Sequence, residues 1–267
     1  MAISGFYKEV LGTKLYIERN EGPENGAFEI LCLHTAGRET RQYHRILELL
    51  EDKYQAYAFD MPGHGKSWPL PGNAVVKNHH DAGRYIWEVA QTLGMKRVVV
   101  IGCSLGGNLV YHMAQEYPVE AICSMQGGDF THTDEYVLNL LDHPAVSVQH
   151  SHVEYTECLV GEKCPADVNE FILWGVCCEN GRTKHGDLTI YAGYDVREKM
   201  KDITCPVLVI LGLDDPSVPE RQVKETMSRL TGTKKLVYKP VPGYGHFILQ
   251  EAPEIIVDSL KDFLGQI

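Results

Sequence analysis

Val98-Val99-Val100-Ile101-Gly102-Cys103-Ser104-Leu105-Gly106-Gly107-Asn108 is the stretch on which the reading of this chain turns. Four consecutive β-branched residues describe a strand buried on both faces, and Leu105, Leu109 and Met113 recur every fourth residue as one side of a helix. Between them lies Gly102-Cys103-Ser104-Leu105-Gly106, a G-x-S-x-G. A strand that turns directly into a helix forces the residue at the bend into a strained backbone conformation, and flanking glycines remove side chains that would collide there. Ser104 is therefore a candidate nucleophile, with the free N–H groups and positive dipole end of the helix aimed at it. A capping serine in a glycine-rich turn is the plainer alternative, and the rest of the chain decides between them.

Outward from this stretch, short apolar runs at 28–33, 55–59, 97–101 and 120–125 are separated by helical periodicity, the pattern of successive βαβ units with buried parallel strands. An antiparallel hairpin over 6–19, turning at Gly12, precedes them. The clearest helix spans 81–93, with Gly94 closing it. The alternation lapses over 127–201 and resumes with strands at 205–211 and 235–241, a helix carrying Val223, Met227 and Leu230, and a closing helix carrying Ile256, Leu260 and Phe263. One α/β core is thus expected in two parts, 1–126 and 202–267, around an inserted lid at 127–201.

Composition narrows the function. The 267 residues suit one large α/β domain, and 44% hydrophobic with 23% charged residues is globular. A net charge of −11 repels phosphate backbones and anionic lipid, which argues against nucleic-acid and membrane partners. The start, MAISGFYKEV, lacks the pattern of a signal peptide and no run is long enough to span a membrane, so a cytoplasmic protein is expected. The eight cysteines are accordingly read as mostly reduced thiols, with a disulfide among Cys158, Cys164, Cys177 and Cys178 left open.

Two further segments join Ser104. After the strand at 205–211 comes Gly212-Leu213-Asp214-Asp215-Pro216, and after the strand at 235–241 comes Gly243-Tyr244-Gly245-His246-Phe247. Leu33-His34-Thr35-Ala36-Gly37 and Asp60-Met61-Pro62-Gly63-His64-Gly65-Lys66-Ser67 follow earlier strands. With these motifs in this order the chain resembles the α/β-hydrolase superfamily over nearly its whole length. The resemblance implies a mostly parallel eight-stranded sheet flanked by helices, with an inserted lid. It implies a Ser-His-Asp triad of Ser104, His246 and Asp215, with Asp214 as the fallback acid. The implied oxyanion hole is the backbone N–H of Leu105 and of Ala36, or Gly37 in place of Ala36, because Thr35 stands where many relatives have glycine.

The expected reaction is hydrolysis of a small or medium carboxylic ester or lactone through an acyl-enzyme on Ser104. Alternatives are carbon–carbon cleavage of a diketo acid and a receptor-like binder with slow turnover. Arg38 is a candidate cation for a substrate carboxylate, against the plainer reading of a solvated or Glu39-paired surface residue. Trp174, in the apolar block 171–174, is a candidate substrate contact, against lid core. No cofactor is expected, and no metal: the lid holds His132, His143, His150, His152, His185 and four cysteines, but none at a paired ligand spacing. His79-His80 reads as a solvated N-terminal helical turn, and His64 as a turn residue bonded to backbone. The expected partner is a small-molecule substrate, with a homodimer compatible.

Overall fold

The structure, a computed structural model, is described for residues 3–24, 26–131 and 148–267, and for the side chains of all of these except 148–151. The expected lid histidines His132 and His143 therefore lie outside the described residues, as do the side chains of His150 and Ser151. The strands are β1 (Ser4–Val10), β2 (Thr13–Arg19), β3 (Glu29–Leu33), β4 (Gln55–Phe59), β5 (Val98–Cys103), β6 (Ala121–Met125), β7 (Val207–Gly212) and β8 (Leu236–Val241). They form one eight-stranded sheet in the order β1-β2-β4-β3-β5-β6-β7-β8. β1 and β2 are antiparallel to their neighbours, and every pairing from β4 through β8 is parallel. Leu11 and Gly12 turn the opening hairpin with φ of 50° and 75°, as a tight two-residue connection requires.

The described α-helices are α1 (His44–Leu50), α2 (His79–Thr92), α3 (Leu105–Glu116), α4 (Val148–Glu157), α5 (Ala166–Cys177), α6 (Gly181–Ala192), α7 (Glu220–Arg229), α8 (Ile248–Glu251) and α9 (Pro253–Leu264). The period-two alternation of β5 sorts its residues between the faces of the sheet. Val98 and Val100 pack with Ile86, Val89 and Ala90 of α2 and Val110 of α3, whereas Val99 and Ile101 pack with Leu47 of α1 and Ile256 and Leu260 of α9. These four β5 residues are fully buried or nearly so, and each contributes roughly 1.5–3 kcal/mol. Both faces are covered, which is why β5 reads as one apolar run. No described helix is long and apolar enough to cross a membrane. All eight cysteines are free thiols.

The segment after β6 leaves the sheet and returns at β7. A single bridge between Phe130 and Asp195 closes its neck, backed by the buried Asp129 carboxylate, which accepts hydrogen bonds from Thr226 Oγ1 at 2.7 Å and Arg229 at 3.0 Å. The described part of this insertion is helical, α4 to α6, a period that the sequence reading did not resolve.

The turn from β5 into α3 depends on backbone crossings that admit no Cβ. One on Gly106 would lie 2.4 Å from the Leu33 carbonyl oxygen, and one on Gly107 2.4 Å from that of Met125. Because the obstacle in each case is sheet backbone, it cannot swing aside. Gly107→Ala is expected to lower unfolding free energy by about 2 kcal/mol or more, as measured by urea denaturation. An unchanged midpoint would refute the crossing as drawn.

Candidate active site

Ser104 sits at the bend with φ 57° and ψ −118°, a conformation that costs on the order of 1–3 kcal/mol and that only the surrounding backbone enforces. Its N–H donates to the Met125 carbonyl at 2.9 Å and its own carbonyl accepts from Asn108 N–H at 2.8 Å, so the bend is tied to β6 on one side and to α3 on the other. The Ser104 residue is 8% exposed. Among the described residues its hydroxyl has no hydrogen-bond partner, His246 included.

His246 and Asp215 come from the loops after β8 and β7. His246 Nδ1 lies 2.6 Å from Asp215 Oδ2. Both residues are buried. The same Asp215 oxygen accepts from Gln126 Nε2 at 2.8 Å, and the other accepts from the Ser217 N–H at 2.8 Å and hydroxyl at 2.6 Å. Burial alone would raise the Asp215 carboxyl; the charge and hydrogen bond of His246, with those of Ser217, outweigh it and bring the group down to about 2. Asp214 is exposed and accepts from the N–H groups of Gly243 and Glu162, so it braces two loops and leaves the imidazole to Asp215.

The His246 loop is itself clamped. The buried Glu251 carboxylate accepts from Gly245 N–H, Phe247 N–H and Gly161 N–H, at 2.9, 3.0 and 2.9 Å. His246 N–H donates to Leu159 O at 2.8 Å. A Cβ on Gly245 would meet that same Leu159 oxygen at 2.1 Å, so the insertion and the histidine loop touch backbone to backbone. Cys103 donates its thiol to the His246 carbonyl at 3.2 Å; burial, reinforced by Asp215 and Glu251, pushes that thiol well above its ordinary range and keeps it protonated.

The turn after β3 shows which N–H groups are free. Thr35 N–H donates to Gln42 Oε1 at 3.0 Å, Arg38 N–H to Thr35 O at 3.1 Å, and Gly37 N–H to Asp187 Oδ2 at 2.7 Å. Among the described residues the Ala36 N–H has no acceptor. Neither has the N–H of Leu105, the first residue of α3, as is usual for a helix N-terminus. An apolar cavity lined by Leu33, Phe59, Met61, Ile86, Leu105 and Leu109 adjoins this turn, with His34 and Asp187 beside it.

Three expectations are corrected. Arg38 is not an exposed cation awaiting a carboxylate: it is 6% exposed, its Nε pairs with Glu179 Oε1 at 3.0 Å, and Nη1 donates to Ile172 O at 3.0 Å. Gly175 of α5 leaves room for that guanidinium, since a Cβ there would lie 2.1 Å from Nη1. Trp174 and Phe171 are 45% and 40% exposed and stack on each other, with the Arg41 guanidinium 4.4 Å from the Trp174 ring, so only Ile172 and not the whole block is buried. His64 bonds a side chain of the insertion, its Nε2 lying 2.9 Å from Asp187 Oδ2.

Gln126, Ser217, Glu251, Gln42 and Asp187 escaped the sequence reading as supports of the site. Only Gln126 carried a local signal, standing before Gly127-Gly128 at the end of a strand; Ser217, Gln42 and Glu251 brace groups two to seven residues away with no pattern to mark them, and Asp187 acts across 150 residues.

The family model described as serine aminopeptidase, S33 matches residues 27–253. An uncharacterized hydrolase of Bacillus subtilis strain 168, YugF, is 22% identical over 95% of each chain. The (E)-2-((N-methylformamido)methylene)succinate hydrolase of Acinetobacter baylyi is 23% identical over 94% of each. The crystal structure of the enol-lactonase from Burkholderia xenovorans LB400 superposes with a TM-score of 0.83 at 18% identity, covering 97% of this chain and 100% of that one.

Because Asp215 is lowered from an ordinary 3.8 to about 2, its ionised form is the one that folding favours. Its stabilising share is therefore complete above about pH 4 and is lost as pH falls from about 4 toward 2. Urea denaturation along this range is expected to show a shallower loss of stability in Asp215→Asn than in the wild type. Equal slopes would contradict the paired carboxylate.

Proposed function

The chain belongs to the serine aminopeptidase S33 family of α/β-hydrolases, and from that premise we propose that it hydrolyses a small or medium carboxylic ester or lactone through an acyl-enzyme on Ser104. The observation that carries this reading is the 2.6 Å pairing of His246 Nδ1 with Asp215, which directs the other ring nitrogen, Nε2, away from the carboxylate as an acceptor for the serine proton.

In this mechanism Ser104 attacks the carbonyl carbon as His246 removes its proton, a contact that tightens when substrate fills the site. Asp215 holds the tautomer and stabilises the imidazolium. The alkoxide of the tetrahedral intermediate sits between the N–H groups of Leu105 and Ala36, the two left without acceptors, each worth on the order of 3 kcal/mol. Gly37 is set aside as a donor because its N–H is held by Asp187. The imidazolium then protonates the leaving alcohol, and water, activated by the same histidine, releases the acid.

The acyl side of the site borders a small apolar cavity lined by Leu33, Phe59, Met61, Ile86, Leu105 and Leu109, which favours short, uncharged chains. Residues 127–201 act as the lid, anchored to the site through Leu159, Glu179 and Asp187. The reading as a diketo-acid hydrolase loses its main support, since the Arg38 charge is already neutralised by Glu179.

A fluorophosphonate probe is expected to label Ser104, located by peptide mass spectrometry, and labelling should vanish in His246→Ala and persist in Asp214→Ala. With 4-nitrophenyl acetate and butyrate, kcat/KM should exceed that for a vinylogous diketo acid at least tenfold. A probe adduct absent from Ser104, or a preference for the diketo acid, would overturn the assignment.

A further inference from the structure

Three imidazoles gather between the start of α2 and the middle of α3, in a place that the hydrolytic chemistry does not use. His79 and His80 open α2, and His112 projects from α3. Their ring centroids are 4.3 Å apart for His79 and His80, 4.9 Å for His79 and His112, and 5.0 Å for His80 and His112. One nitrogen from each can be chosen so that all three lie within 4.8 Å of one another.

Two features make this more than an accident of packing. No imidazole of the three has a hydrogen-bond partner among the described residues, and His112 is only 2% exposed. Gly83, one helical turn beyond His79 and His80, leaves the space that His112 occupies, since a Cβ there would lie 2.7 Å from His112 Nε2.

We propose that His79, His80 and His112 form a binding site for a borderline divalent transition metal, of which zinc is the representative. An all-imidazole set suits zinc, nickel or copper and is a poor match for calcium or magnesium, which require oxygen ligands. The ion would draw the nitrogens together from their present separations to about 3.3 Å, the edge of a tetrahedron with bonds of about 2.0 Å. It would join the start of α2 to the middle of α3, the helix that begins at Ser104. This site is independent of the proposed ester chemistry.

The test is titration of the EDTA-treated full-length protein with zinc in competition with a chromophoric chelator. One equivalent is expected to bind with Kd below about 10 µM, and zinc should raise the melting temperature because it binds only the folded chain. The double variant His79→Ala/His80→Ala, altered at an accessible helix start, should keep its zinc-free melting temperature and bind at least tenfold more weakly. His112→Asn should weaken binding to the same degree. The proposal is overturned if the wild type fails to withdraw zinc from the chelator, if the double variant withdraws it as well as the wild type, which would place the metal on other histidines or on the thiols, or if His112→Asn binds unchanged, which would reduce the site to an exposed pair.

Discussion

The architecture depends on how closely backbone can approach backbone where β5 becomes α3. Gly106 lies against the carbonyl of Leu33 and Gly107 against that of Met125, so the helix starts pressed into the sheet between β3 and β6. Only that pressure holds Ser104 at positive φ, a region that a serine does not choose unaided. The energy stored there comes from the buried strands on either side, whose apolar residues face both layers of helices. A looser crossing would let the serine relax into the helix, and its hydroxyl would turn from the cleft.

Around that point the polar braces are arranged so that few groups are left uncommitted. Asp215 receives His246, Gln126 and Ser217, and Glu251 receives three backbone N–H groups of the histidine loop and the insertion. In the turn after β3, Gln42 and Asp187 occupy the N–H groups on both sides of Ala36. The same contacts that hold the loops therefore decide, by elimination, which N–H groups of that turn stay free. Asp187 and Glu179 both belong to the insertion. Its seating and the shape of the turn after β3 are consequently one structural problem, coupled through hydrogen bonds that bury carboxylates at the interface.

The strands and helices of the core were legible because each carries a period that burial imposes. The reading placed β4 at its observed limits and β5 and β8 within one or two residues, and Gly94, at φ 73°, ends α2 as expected. Arg38 shows where such reading stops. An arginine near a cleft is electrostatically free until its neighbours are known, and Glu179, which neutralises it, follows it in the chain after three strands and about two thirds of the insertion. Trp174 shows the complementary limit: an apolar block of one turn places residues on all sides of a helix, and the sequence alone does not say which side meets the core. His79 and His80 read as solvent-facing for the same reason, since nothing local announces His112 beside them.

By itself, then, the sequence determined the sheet, the glycine-walled serine turn and the order of serine, acid and histidine along the chain, because these rest on local periodicity and on sterics within a few residues. The tertiary structure decided which of two adjacent aspartates faces the imidazole, which amide of the β3 turn stays free, and that the one arginine expected to meet substrate is instead bound to the insertion. Those outcomes depend on hydrogen bonds between residues far apart in the chain, whose geometry exists only once the sheet has brought its loops together.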